Sequence, residues 1–271
     1  MFVTLSPDPQ LAQMVTAYWF IEDIQGEFAG QIIQTSPIPL AVLSVNIGRP
    51  NTTEDGSFIP RASLLGLQSR ARSWRSCSDT YFVMVMLTIP GLVQLFPHTG
   101  PDTADRILDL GAIAGDALAG SLSRSVSAAF EPKRIAKLLD HWLIARLASS
   151  QAVSELHRLS AAHTILQCNG SVSDAAEAAS VNRRQLHRWF LRHTGIGPKE
   201  LADLERLQNS LRSSQLKRGD PGLGFSDQAH KIRSWRRRLG TTPGIYKKAG
   251  PSSVADHFKT DASRAEPAFY L

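Results

Sequence analysis

Residues Ser171 to Phe190 read SVSDAAEAASVNRRQLHRWF, and two short helices can be laid out along them. Ser171 and Asp174 have the spacing of a capping box, with Ser173 as a rival cap. The four alanines that follow make a thin helix, which a second helix can approach closely. Ser180-Val181 leaves room only for a turn. Asn182 then caps a second helix, Arg183–Phe190. Leu186 and Phe190, four apart, face inward. Arg184, His187 and Arg188, at i, i+3 and i+4, share the opposite, exposed face.

Helix, tight turn, then a basic helix with a narrow apolar seam is the plan of a helix-turn-helix. The residue types suit duplex DNA. Arginine presents a planar fork to guanine O6 and N7 in the major groove. Asn182 and the helix N-terminus suit a backbone phosphate, and Arg183 and Arg192 add sequence-independent attraction. His187 reads equally well as an idle surface histidine. Arg184 and Arg188 suit a phosphate as well as a base. Trp189 reads as a packing residue.

The charge pattern around this stretch agrees with a polyanion partner. Of 271 residues, 1–130 hold 7 Lys+Arg against 11 Asp+Glu, whereas 180–248 hold 16 against 5, a local balance of +11. A solvated basic surface would give the same count, so the motif rather than the charge carries the reading.

Further along, Gly195-x-x-Pro198, a helix through Arg206, Gly224-Phe-Ser-Asp-Gln-Ala-His230 and Gly240-Thr-Thr-Pro-Gly-Ile-Tyr246 complete a pattern. With Asn182-x-Arg184-x-Leu186-x-Arg188-x-Phe190 it resembles the DNA-binding domain of AraC/XylS-type transcription regulators over Ser171–Lys248. The resemblance implies two helix-turn-helix units joined by a long helix, here Pro198–Gln215, with reading helices in successive major grooves on one face of DNA. By position it implies a first reader of Arg184, His187 and Arg188. It implies a second of Gln228, Ala229, His230, Ile232 and Arg233, with Arg236 and Arg237 in a phosphate-facing run that extends to Arg238. Trp235 reads as packing.

Three features depart from the family pattern. Ser180 stands where the turn glycine is usual. Lys231 stands where a large apolar residue is usual, so its stem must snorkel or Ile232 must serve instead. Between Arg206 and Gly224 the chain is short by roughly one or two helical turns. Pro221, Gly219, Gly222 and Gly224 make Leu216–Leu223 a loop or a single turn rather than a supporting helix. The Gln228–Arg238 helix is then expected to form and pack through Trp235, yet to be less firmly placed than the first reader.

Upstream the pattern turns β-rich. Gln31–Thr35, Leu40–Ile47 and Tyr81–Ile89 are short apolar or alternating runs between breakers, and Asp8–Phe20 reads as a helix leading into a strand at Tyr18–Ile21. From Asp102 the spacing becomes helical, with Pro132 at a first-turn position and a further helix over Val153–Gln167. The expected fold is α+β: a β-rich N-terminal domain (1–130), a helical linker region (131–168), an all-α domain with two helix-turn-helix units, the second shortened (169–248), and a loose tail (249–271). The N-terminal part resembles the small cupin-like sensor domain of one branch of the family, though Ser36-Pro-Ile-Pro39 departs from its turn. The resemblance implies a small-molecule effector and a homodimer as partners beside double-stranded DNA. Trp19, Trp74, Tyr81 and Phe82 are candidates for an apolar pocket or for core. Arg70, Arg72 and Arg75 suit an acid or a solvated edge.

Other function classes find little support. Residues 1–140 contain one histidine, His98, so a metal site there is not expected, and no cofactor is implied. No phosphate-cradling glycine loop or nucleophile elbow appears, so an enzyme is not expected. Cys77 and Cys168 form no spacing pattern and read as idle thiols. No signal peptide or membrane-length apolar run is seen, which points to the cytoplasm. The alternative is an effector- or protein-binding module whose DNA-binding domain is partly decayed, as the short Leu216–Leu223 stretch would allow.

Overall fold

A computed structural model describes residues 1–97, 99–129, 131–257 and 268–271; His98 lies outside them. Among the described residues the strands are β1 (Phe2–Leu5), β2 (Val15–Asp23), β3 (Ile32–Thr35), β4 (Ala41–Asn46), β5 (Thr52–Thr53), β6 (Ala62–Leu65), β7 (Arg72–Arg75), β8 (Thr80–Leu87) and, after two short helices, β9 (Ile107–Asp109). They form a six-stranded sheet in the order β1-β2-β8-β4-β6-β9 and a three-stranded sheet β3-β7-β5, with antiparallel pairing throughout.

The larger sheet is buried on both faces. From β2 and β8, Tyr18, Phe20, Val83, Val85 and Leu87 point to one core. Their neighbours Trp19, Ile21, Met84 and Met86 point to another, shared with the smaller sheet. Period-two alternation is therefore present in direction but not in polarity, and Tyr81–Ile89 reads as one apolar run.

Helices α1 (Ile89–Leu95), α3 (Leu110–Ala114), α4 (Asp116–Ala129) and α5 (Pro132–Ser149) cover the first face, and α2 (Gly100–Thr103) lies between α1 and β9 in the chain. Ile135, Leu139 and Leu143 of α5 belong to this core, whereas α6 (Leu156–Gln167) packs through Leu159 and Leu166 on the helices that follow. Residues 131–168 are thus divided between two cores. Gln94 fastens the crossing between α5 and α6: its amide donates to Ser150 Oγ (2.7 Å) and the Gln151 carbonyl (3.1 Å).

The remaining helices are α7 (Val172–Ala178), α8 (Arg183–Thr194), α9 (Pro198–Leu216), α10 (Gln228–Leu239), α11 (Pro243–Ala249) and α12 (Ser253–His257). Among the described residues no helix is long and apolar enough to cross a membrane.

Three expectations are corrected. Asp8–Phe20 holds only a 3-10 turn at Pro9–Leu11 before β2, because Pro9 starts a turn and Val15 onward pairs with β8. Ile107–Asp109, of helical spacing, is a strand because β6 offers it an open edge. Residues 249–271 are not a loose tail as a whole. Ala268–Leu271 are buried, and Thr35 of β3 forms a bridge with Tyr270. Four apolar residues, Ala-Phe-Tyr-Leu, find cover there that the preceding Gly, Ser and Pro composition did not suggest.

Candidate nucleic-acid interface

The first unit is α7, a turn and α8. Ser171 Oγ accepts from the Asp174 amide (3.1 Å) while the Asp174 carboxylate accepts from the Ser171 amide (3.0 Å), so the capping box is complete. Those bonds hold the Asp174 carboxyl below its ordinary range. Ser180 adopts φ +53°, the left-handed region, so the usual glycine position is filled at a steric cost. Asn182 Oδ1 accepts from the Gln185 amide (2.8 Å), opening α8, and Gly195 closes it at φ +73°. Leu186 and Phe190 are fully buried and Trp189 nearly so, which leaves Arg183, Arg184, His187, Arg188 and Arg192 exposed.

Two of these side chains have partners within the protein. Arg188 donates to Gln185 Oε1. Arg192 pairs with Glu155 at 2.9 Å, and Glu155, which also accepts from Ser154, titrates below its ordinary range. The end of α8 is seated on the N-terminal part. A Cβ on Gly100 of α2 would stand 2.3 Å from the His193 carbonyl carbon, so only glycine allows this approach. Leu67, Ile89 and Val93 join the core of the first unit.

The long helix α9 has 19 residues, about 28 Å at 1.5 Å per residue. It ends at Lys217 with φ +51°. From Lys217 to Asp227 the chain runs in turns, so the second unit has no helix before its reader, as the glycines and Pro221 required. Helix α10 then starts on Asp227, whose Oδ1 accepts from the His230 amide (2.6 Å); this bond lowers the pKa of Asp227. Gln228, Arg233, Arg236 and Arg237 are exposed, and His230 is half-buried against Phe225, edge to face at 5.5 Å. Lys231 and Ile232 are both half-buried, so each takes part of the work of the missing apolar residue.

Arg238 is a correction. Read as part of a phosphate-facing run, it is buried, 3% exposed. It donates to the Ser69 carbonyl (2.8 Å) and lies 3.5 Å from Glu200 and 3.9 Å from Asp203. Its own carbonyl accepts from the Ala71 amide (2.6 Å). Burial, and after it the charge of Arg237, lowers its pKa. Adjacent residues on a helix point in different directions, so only Arg236 and Arg237 of this run face solvent. Asp203 gathers Arg206 (2.5 Å) and Arg237 (3.5 Å) beside Arg238.

The core of the second unit also draws on distant residues. Trp235, fully buried, donates to Ser210 Oγ (3.1 Å) and meets Tyr246 edge to face at 5.6 Å. Around it stand Leu207, Leu211 and Leu239, together with Ala268, Leu271 and Ala71. Residues 69–71 and 268–271 thus complete a core that lacks a helix of its own. This part of the site was not legible in the sequence, because its pieces are some 165 and 35 residues from Trp235 in the chain.

The geometry thus comprises two capped, basic-faced helices that precede and follow the long helix α9. Residues 175–249 match the model of a helix-turn-helix domain, a DNA-binding module. This domain is of the AraC type. No curated protein matches the chain. Among solved structures, the chain is similar to apo ToxT K231A from Vibrio cholerae at 11% identity, covering 90% of this chain and 99% of that one, with a TM-score of 0.45. It is also similar to ToxT with an unsaturated fatty acid bound, at 10% identity, 85% and 93% coverage and a TM-score of 0.42. The AraC-like transcriptional activator CuxR shares 12% identity over 73% of this chain and 74% of its own, with a TM-score of 0.24.

The N-terminal candidates also have places. Trp74 and Phe82 line a cavity between the two sheets, while Trp19 and Tyr81 are core. Arg72 donates to the Asp105 carbonyl and Arg75 to that of Gly30 (3.1 Å), so both are spent on backbone outside the cavity. Among the described residues no group of three His, Cys, Asp or Glu is placed to hold a metal ion. Cys77 is half-buried and Cys168 is exposed.

Proposed function

We propose that the chain is a sequence-specific DNA-binding transcription regulator, gated by a small molecule held in its N-terminal domain. The carrying observation is the pair of N-capped helices, α8 and α10, whose exposed faces hold Arg184, His187 and Arg188, and Gln228 and Arg233. Arg184 and Arg188 are the base readers of the first helix, with His187 beside them. Asn182, Arg183, Arg192, Arg236 and Arg237 face phosphates, and Gln228, His230 and Arg233 read in the second groove. The inter-sheet cavity is the place for the effector.

Selection of bound fragments from random duplex DNA with the full chain is the test. An enriched motif is expected, with binding that weakens steeply as salt rises. Arg188→Ala should cost about 1–3 kcal/mol against the preferred base. Failure to enrich any motif sinks the reading. A second reading, a binding module with one working reader, is favoured by the helix-free stretch Lys217–Asp227. It requires that Arg184→Ala and Arg188→Ala weaken binding while Gln228→Ala and Arg233→Ala do not.

A further inference from the structure

The segment Ala268–Leu271 faces two ways. Phe269 and Tyr270 form part of the wall of the cavity between the sheets. Ala268 and Leu271 lie in the core of the second helix-turn-helix unit. The segment is fastened on both sides. The Ser36 amide donates to the Phe269 carbonyl (2.7 Å) and the Leu271 amide to the Gln34 carbonyl (3.0 Å), next to the Thr35–Tyr270 bridge. From α9, Gln208 Oε1 accepts from the Ala268 amide (3.0 Å), and Gln208 Nε2 donates to Ser36 Oγ and the Pro37 carbonyl, both at 2.8 Å. Gln215 Nε2 donates to the Tyr270 carbonyl (2.9 Å) and to the Tyr246 hydroxyl of α11 (2.8 Å).

The cavity's chemistry narrows its ligand. Its walls include Phe28, Trp74, Phe82 and Met84, and no lysine, arginine or histidine lines it among the described residues. Its one carboxylate, Asp23, accepts from the backbone amides of Glu27 (2.8 Å) and Phe28 (2.9 Å). An anion there would be buried beside a carboxylate with no counter-charge, which is prohibitive. Ser44 and Ser63, paired across β4 and β6, both reach the cavity and give a ligand hydroxyl partners. The volume is about 80 Å³, below the ~150 Å³ that accommodates benzene. A ring-sized ligand must therefore move a wall. The strands are held by ladders, whereas Phe269–Tyr270 joins β3 through an isolated bridge at Tyr270.

We infer that the cavity binds an uncharged, mainly apolar small molecule by displacing Phe269 and Tyr270, and that this displacement reaches the second helix-turn-helix unit through Ala268, Leu271, Gln208 and Gln215. This rests on the effector-gated reading above, but its test does not need DNA. Naphthalene is titrated into the full chain, followed by tryptophan fluorescence, with 1-naphthoate and 1-naphthylmethylammonium as charged matches. Hydrogen exchange is followed over 207–249 and 268–271. Naphthalene should bind at least tenfold more tightly than either charged match, and should raise exchange in both segments. Phe269→Ala should tighten naphthalene binding severalfold. Gln208→Ala with Gln215→Ala should keep binding, which shows the variant folded, but abolish the ligand-dependent change over 228–249. Equal binding of a charged match overturns the ligand class. Binding to neither wild type nor Phe269→Ala overturns the site, and an unchanged exchange response in the double variant overturns the relay. If all of these hold yet naphthalene does not alter affinity for a selected duplex, the gating reading alone fails.

Discussion

Arg238 separates two views of the basic run on α10, and its removal can be costed from the structure. In Arg238→Ala the charged donor to the Ser69 carbonyl is lost, worth about 1.5–3 kcal/mol. Breaking a buried ion pair costs up to about 3–5 kcal/mol when the partner is stranded. Here it is not stranded: Glu200 has a side chain 41% exposed, and Asp203 keeps Arg206 at 2.5 Å and Arg237 at 3.5 Å. The sum should be about 2–3 kcal/mol, or a fall in Tm of about 4–5 °C for a chain of this size. Arg237→Ala, removing a half-exposed pair, should cost less than about 1 kcal/mol. Salt titrations should show the opposite order. Arg237→Ala should lower the slope of log K against log salt by about one, and Arg238→Ala should leave it unchanged. Urea unfolding and fluorescence anisotropy measure the two quantities. If Arg238→Ala unfolds like wild type, or if it lowers the salt slope as Arg237→Ala does, the anchoring role is wrong.

Other outcomes follow from the backbone. Ser180→Gly should stabilise the chain by about 0.5–1 kcal/mol in urea unfolding, since the left-handed conformation costs serine about 1–2 kcal/mol and glycine's extra chain entropy returns part of it; a loss of stability would contradict the φ of +53°. Gly100→Ala should cost about 2 kcal/mol or more despite alanine's better helix propensity, because its Cβ meets the backbone of His193. A neutral Gly100→Ala would mean that α2 and α8 do not touch.

The helix pair α7 and α8 was legible almost residue by residue. Cap, seam and exposed face all follow from spacing within twenty residues, and Ser171, Asn182, Leu186 and Phe190 hold the positions that spacing assigns them. The missing helix of the second unit was legible for the same reason, since proline and glycines act locally. What replaced it was not. Ala71 and Leu271 reach Trp235 across the fold, and no periodicity encodes such contacts. The strands were partly legible: β3, β4 and β8 stood out as apolar or alternating runs, whereas β6 and β7 did not. Arg238 was misread because composition registers a run of arginines but not where each one points.

The second unit's borrowed core bears on how the chain comes apart. A helix-turn-helix domain with its own three-sided core can be cut from its protein and carried elsewhere. Here residues 150–248 in isolation would expose Leu207, Leu211 and Trp235 where Ala71, Ala268 and Leu271 now cover them, and would release Arg238 from Ser69. The part of the chain that holds both helix-turn-helix units is therefore not portable. Its second reader should melt with the β-sheets in one cooperative step, and fusing residues 150–248 to a foreign partner should yield a protein with one ordered reader instead of two.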